Sequence, residues 1–317
     1  MKTVSVIIVC MNNLKNLCPC LDSIIKNTTV DFEIIVVAFM FSEENIVKLQ
    51  KTYPSVVIVR SDRLRGFAEN NNLGLHQAKG KYCFIINDDT YFDNPVIDEL
   101  VQQLNNMDDN VAIISPIILN TDGSVQRNGK CEYNIFTFIL GCLHLKELYD
   151  KHSKYTGKKG IYRTYNISGA CFLIRTSIFK EVDWFDERYY FCPEDIALST
   201  KLNKKGYYCY VDTNASITHI HGGTWSKILT ATMPVVEKGN KIFYCDNKKW
   251  FSPIFVLCTW LTHGFSAFKW WIKFAATRRE DCRIKSIAHF NTIKNISTDE
   301  TPKECFMRLY NNIKKES

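Results

Sequence analysis

Tyr82-Cys83-Phe84-Ile85-Ile86-Asn87-Asp88-Asp89-Thr90 reads as a buried strand that ends abruptly on two carboxylates. The apolar run is short and apolar on both faces, the pattern of a strand inside a sheet covered from each side. Adjacent carboxylates at such a strand end repel each other unless a cation or a buried donor compensates. A divalent metal bridging diphosphate oxygens is one reason to place them there. An aspartate turn that caps the next helix is another.

Working outward, the preceding sequence alternates strand and helix patterns. Residues 4–10, 32–37 and 56–59 read as strands, and residues 14–26, 43–52 and 66–78 as helices. This β-α-β-α rhythm predicts an α/β fold with a mixed, mostly parallel sheet and helices on both faces. In such sheets ligands bind beyond the carboxyl ends of the strands, where the loops after residues 10, 37, 59 and 87 would open. Further on, residues 111–119, 170–175 and 207–211 are strand-like. Residues 124–165 show little periodicity and read as a loop-rich acceptor face.

A second acidic pair, Glu194-Asp195, precedes a helical stretch at 196–204. A carboxylate at a helix start is favoured by the dipole and by exposed amides, and it can take a proton from an attacking hydroxyl. Ordinary capping would place the same residues there. His219 and His221 share one face of an extended segment ahead of Gly222-Gly223-Thr224, and imidazole can complete a metal shell or touch a phosphate. Residues 65–74 put a glycine and the run Asn70-Asn71-Asn72 at a loop-to-helix entry. That entry suits an anion, and it equally suits a buried amide network.

Composition separates the two ends of the chain. Residues 1–200 carry 21 Lys/Arg against 24 Asp/Glu, whereas residues 201–317 carry 19 against 9. A basic tail behind a near-neutral domain points to an anionic partner. Between 250 and 280 the tail is rich in Trp and Phe, interrupted by Pro253, His263 and Gly264 and flanked by Lys269, Lys273, Arg278 and Arg279. It is not a clean apolar run of about 20 residues. It suits peripheral contact with a membrane surface, or a helical pair packed on the rest of the chain. Its aromatics keep apolar company, which argues against nucleic acid. The thirteen cysteines are odd in number and irregular in spacing, as in a reducing cytoplasm. The N-terminal apolar stretch is too short for a signal peptide.

The order of these pieces over residues 4–224 resembles the family 2 glycosyltransferases of GT-A fold, in particular their rhamnosyltransferase-like bacterial members. The matching text is Ser5-Val6-Ile7-Ile8-Val9, Gly66-Phe67-Ala68, Asn71-Asn72-Leu73-Gly74, Ala78-Lys79-Gly80-Lys81-Tyr82 and Asn87-Asp88-Asp89-Thr90. It continues with Ile167-Ser168-Gly169-Ala170, Phe185-Asp186-Glu187-Arg188, Glu194-Asp195, and His219 ahead of Gly222-Gly223-Thr224. The resemblance implies a catalytic domain over residues 1–225 and leaves 226–317 as a helical, basic, aromatic-rich extension. It implies an inverting transfer of a sugar from a nucleotide-diphosphate donor to an acceptor hydroxyl on a glycan or lipid-linked acceptor. Surface polysaccharide assembly at the inner face of the plasma membrane would be the setting.

By the same resemblance, Asp89 and His219 bind a divalent metal, Mg2+ or Mn2+. Asp195 is the general base, Glu194 supports it, and Asp88, Asn72 and Lys201 bind the donor. Lys201 stands where an Arg usually follows the acidic pair. The family's base-reading segment after the second strand is replaced by Ala38-Phe39-Met40-Phe41. Asp62 or Glu43 would then read the base, or Phe39 and Phe41 would stack on it. The alternative is a non-catalytic nucleotide-sugar or carbohydrate binding module. A nucleotidyltransferase would need a Gly-rich basic loop after the first strand, where this chain has Met11-Asn12-Asn13.

Overall fold

The computed structural model describes residues 2–316, apart from 127, 153–157 and 221–227. The chain divides into two units. The first comprises residues 1–133, 147–186 and 194–221, and the second 134–146, 187–193 and 222–317.

The first unit is built on β1 (Val4–Met11), β2 (Phe32–Phe39), β3 (Val57–Ser61) and β4 (Tyr82–Asn87), which pair in parallel in the order β3-β2-β1-β4. Beyond β4 come β9 (Cys171–Arg175), antiparallel to it, then β6 (Val111–Leu119) and β10 (Tyr208–His219). The short strands β5 (Thr90–Tyr91), β7 (Val125–Gln126) and β8 (Ile161–Thr164) complete a ten-stranded mixed sheet.

Both faces of this sheet are covered because consecutive strand residues are apolar in opposite directions. Val6 and Ile8 join a core with α1 (Leu14–Asn27), α2 (Glu43–Thr52) and α4 (Val96–Asn106). Ile7, between them, joins a separate core with α3 (Phe67–Leu75), α7 (Thr176–Glu181) and α8 (Glu194–Lys204). Cutting fully buried Ile7 or Ile8 back to Ala would cost about 2–5 kcal/mol. Helix starts are specified locally. Asn13 caps α1 through the Asn16 N–H, and Ser42 caps α2 with Glu43 and Glu44 in its first turn. Gly74 lets α3 lie close on the sheet, since a Cβ there would sit 2.9 Å from the Ile7 methyl.

The second unit is helical: α5 (Ile135–Cys142), then α9 (Leu229–Cys245), α10 (Ser252–Thr277), α11 (Glu280–Asn295) and α12 (Pro302–Glu316). The short helix α6 (Lys146–Lys151) falls at the boundary between the units. Placing all of residues 1–225 in one domain is thus corrected at two points. Residues 134–146 form α5, whose Phe138 stacks on Phe255 at 4.7 Å and meets Phe251 edge-on. Residues 187–193 put Tyr190 and Phe191 against Phe306 of α12. Both segments carry aromatic rings that the helical core buries. Pro253, His263 and Gly264 do not interrupt α10. Pro253 sits in the first turn, where its missing N–H costs nothing.

Candidate active site

Backbone pairing brings the first acidic pair to the late histidine. Thr90 pairs with His219 in the β5–β10 ladder, and the Ile220 N–H donates to the Asp89 carbonyl at 2.9 Å. His219 Nε2 consequently lies 3.1 Å from Asp89 Oδ1 and 3.4 Å from Asn87 Nδ2. On the other side of the ring, His219 Nδ1 is 3.1 Å from Gln126 Oε1.

The Gln126 amide cannot be turned round without loss. Its donor end, Nε2, donates to Asn120 Oδ1 at 2.8 Å, to the His219 carbonyl at 3.0 Å and to the Leu119 carbonyl at 3.4 Å. Three acceptors around Nε2 fix Oε1 on the imidazole, so Nδ1 carries the hydrogen. The Nε2 lone pair of neutral His219 then faces a carboxylate oxygen. Two acceptors in contact call for a shared proton or a cation between them. Asp88, beside them, is pushed up to about 6, first by burial, opposed by a hydrogen bond with Cys10 and reinforced by the Asp89 charge.

The second acidic pair is tied to the same strand end. The Asn87 N–H donates to the Ala170 carbonyl at 3.0 Å, and the Gly169 N–H donates to Asp195 Oδ2 at 2.9 Å. The other Asp195 oxygen accepts from the Ile196 N–H at 2.7 Å, at the start of α8. Glycine at 169 eases this approach, because a Cβ there would crowd Asp195 Cβ at 3.3 Å. Two hydrogen bonds through Gly169 and Ala170 therefore connect the Asp88-Asp89 turn to the Asp195 carboxylate. Glu194 is buried, and its Oε2 has no hydrogen-bond partner among the described residues. Burial, and then the Asp195 charge, hold its carboxyl well above the usual range.

The expected donor residues fare differently. Asn72 is buried and spent on the backbone: its Nδ2 donates to the Phe185 carbonyl at 2.9 Å and its Oδ1 accepts from the Phe185 N–H at 3.2 Å. Asn70 and Asn71 are likewise buried and bonded to neighbouring groups, so this run forms a buried amide network. Lys201 points its ammonium at the Val182 carbonyl. Asp62 is exposed beyond β3, 3.7 Å from Arg60 Nε, and Glu43 is paired with Arg60. Phe39 and Phe41 are both buried, Phe41 in the core with α1 and α2, so neither offers a stacking face. The residue exposed between them is Met40, at φ +53°, beside an equally exposed Met11 on β1. His221 and residues 222–224 lie outside the described residues.

Two contributors were not singled out from sequence, Gln126 and Asn128. Asn128 accepts from the Ser168 N–H at 2.9 Å and donates to Ser115 Oγ and the Pro116 carbonyl, holding the loop that carries Gly169. Both follow the Asp122-Gly123 turn, which was a usable signal that β6 returns on itself and carries side chains back to its own end.

A family model, Glycosyl transferase family 2, matches residues 5–183. The chain belongs to that family. The matched region contains the Asp88-Asp89 turn and ends before Glu194. The N-acetylglucosaminyl-diphospho-decaprenol L-rhamnosyltransferase of Mycobacterium tuberculosis is 30% identical over 90 residues, 28% of this chain and 29% of that protein. The O-antigen biosynthesis protein RfbC of Myxococcus xanthus is 24% identical over 237 residues, 73% of this chain and 18% of that protein. The chain thus matches less than a third of the length of either relative.

Among solved structures, the fold is similar to the Pyrobaculum calidifontis mannosyltransferase PcManGT, in complex with GDP-Man and Mn2+. That similarity has a TM-score of 0.54 at 15% identity, over 95% of this chain and 89% of that one. GalNAc-T7, solved with UDP, GalNAc and Mn2+, gives 0.53 at 18% identity over 70% of this chain and 44% of that one. The family 2 chain has the GT-A fold.

Proposed function

We propose that this family 2 member is an inverting glycosyltransferase that takes its sugar from a nucleoside-diphosphate donor. The observation that carries the reading is the two-hydrogen-bond link between the Asp89–His219 pair and Asp195. Asp195 accepts the proton of the acceptor hydroxyl as that oxygen attacks the anomeric carbon. The bond from that carbon to the donor's β-phosphate oxygen breaks on the opposite face, and the nucleoside diphosphate leaves. Burial and the Asp195 charge hold the Glu194 carboxyl toward its neutral form, which limits the second charge beside Asp195.

Asp89 and His219 are the residues that would hold a divalent cation, Mg2+ or Mn2+. The two acceptors facing each other across 3.1 Å fit that role. Among the described residues no group of three or more His, Cys, Asp or Glu side chains forms a complete metal cage. Such a donor set leaves coordination to the diphosphate, and the cation would offset charge on the departing group. Asp88, close to both residues, would face the donor.

We further assign the acceptor to a glycan or lipid-linked glycan in surface polysaccharide assembly, with the reaction on the cytoplasmic side. Support comes from the rhamnosyltransferase and O-antigen relatives and from thirteen cysteines that are all free thiols. A thermal-shift screen of nucleoside-diphosphate sugars with and without Mn2+ tests the donor reading. A true donor at 100 times its Kd adds about 2.7 kcal/mol, seen as a raised Tm. No shift with any donor in the presence of Mn2+ would sink it.

A further inference from the structure

The outer face of α10 carries an apolar ridge that its own unit leaves open. Ile254, Leu257, Leu261, Phe265, Phe268 and Trp271 recur at steps of three and four and so share one face. All six are exposed, Leu261 by 65% and Phe265 by 68%. The ridge is about 26 Å long at 1.5 Å per residue. Soluble surfaces scatter such residues singly, and a continuous strip of this size marks an interaction surface.

By length and composition the segment Lys249–Thr277 could cross a membrane. Its neighbour argues against that. Helix α11 runs antiparallel beside α10: Trp260 Nε1 donates to the Ile293 carbonyl at 3.2 Å, and Ser286 Oγ to the Ala267 carbonyl at 2.9 Å. That places Arg283, Lys285 and Lys294 of α11 alongside, with Lys285 4.4 Å over the Trp270 ring. A spanning α10 would drag these cations into hydrocarbon, which is costly even on the mildest scale. A helix lying in the interface plane keeps them in water.

We propose that the α10 ridge docks flat onto the headgroup region of an anionic lipid bilayer. Charge complementarity selects this occupant. Exposed Lys248 and Lys249 stand at one end of the helix, and exposed Lys269, Lys273 and Arg278 towards the other. Cations flanking an apolar face with Trp are matched to anionic headgroups over acyl chains. A second copy of the chain is a poorer fit, because parallel and antiparallel pairing both set basic ends against basic ends. This surface shares no residue with the transfer chemistry, so its test is independent of that reading.

The test is co-sedimentation of the full chain with vesicles of phosphatidylcholine alone, or mixed with an equal amount of phosphatidylglycerol. Binding to the mixed vesicles is expected, weakened by salt and released by alkaline carbonate. Joint Leu261→Glu and Phe265→Glu should weaken it by about tenfold or more. Joint Lys269→Glu and Lys273→Glu should remove most of the preference for the anionic lipid. Unchanged melting of both variants by circular dichroism would show that the fold persists. Equal vesicle binding by the Leu261/Phe265 variant overturns the proposal, as does retention of the wild-type chain through carbonate extraction. A wild-type dimer that ignores vesicles and is dissolved by the same substitutions would give the ridge to a second copy.

Discussion

Asp88-Asp89 sits on a turn after a central strand, and Glu194-Asp195 opens a helix, yet each pair has an inner and an outer member. The inner residues, Asp88 and Glu194, are pushed toward protonation, chiefly by burial. The outer residues face groups that organise them: Asp89 faces an imidazole whose tautomer is fixed, and Asp195 accepts two backbone N–H groups. Adjacent carboxylates repel less when one of them is held nearer its neutral form. The two pairs differ in what the outer member is prepared for. Asp89 meets an acceptor and needs a cation or proton between them. Asp195 is already satisfied on one side of each oxygen and keeps lone pairs for an incoming hydroxyl.

The comparison breaks most visibly at Asp89. Asp89→Asn should abolish Mn2+-dependent donor binding and lower kcat/KM by about 10²–10³. Metal-independent donor binding equal to wild type would refute its role. Gln126→Leu frees the imidazole to rotate and change tautomer, and should weaken apparent Mn2+ affinity by about 10–100-fold, as loss of an outer-shell partner does. An activity assay titrated with Mn2+ reads this directly, and excess metal should restore much of the rate.

Glu194→Gln should be milder than either. The amide mimics a protonated carboxyl, so kcat is expected to stay within about tenfold of wild type. A collapse comparable to that of Asp89→Asn would mean that Glu194 works ionised.

The smallest effect concerns stability. The Asp88 carboxyl titrates at about 6 in the fold against 3.8 ordinarily, so between these values the folded state binds more protons than the unfolded chain. Its contribution is fully present below pH of about 4 and is lost as pH rises through about 6, by at most roughly 3 kcal/mol. Metal-free Asp88→Asn should flatten the stability profile across that window in urea titrations. An unchanged slope would show that Asp88 titrates normally.

Much of this was legible in the chain itself, for identifiable reasons. Strands such as Val4-Ser5-Val6-Ile7-Ile8-Val9 are buried on both faces, so pattern alone places them in the middle of a covered sheet. The two acidic pairs announced themselves because neighbouring carboxylates are costly without a purpose. What stayed hidden depends on tertiary direction. The strand-like run 207–211 is only the first part of β10, which shifts register across Asp212-Thr213-Asn214 and continues to His219. Beyond the Asp122-Gly123 turn ahead of it nothing marks Gln126, which matters because its side chain reaches the His219 end of β10. Asn72 looked like a ligand residue, and Phe39 and Phe41 looked like a stacking pair. No sequence pattern says which amide faces a backbone or which aromatic ring faces the core.

The most direct test of the central claim is to measure donor binding and turnover on the same preparation of Asp195→Asn. Nucleoside-diphosphate sugar should bind with Mn2+ dependence and affinity close to wild type, while turnover falls by about 10²–10⁴, the loss of a general base. Undiminished turnover would contradict the account, as would loss of Mn2+-dependent binding together with activity.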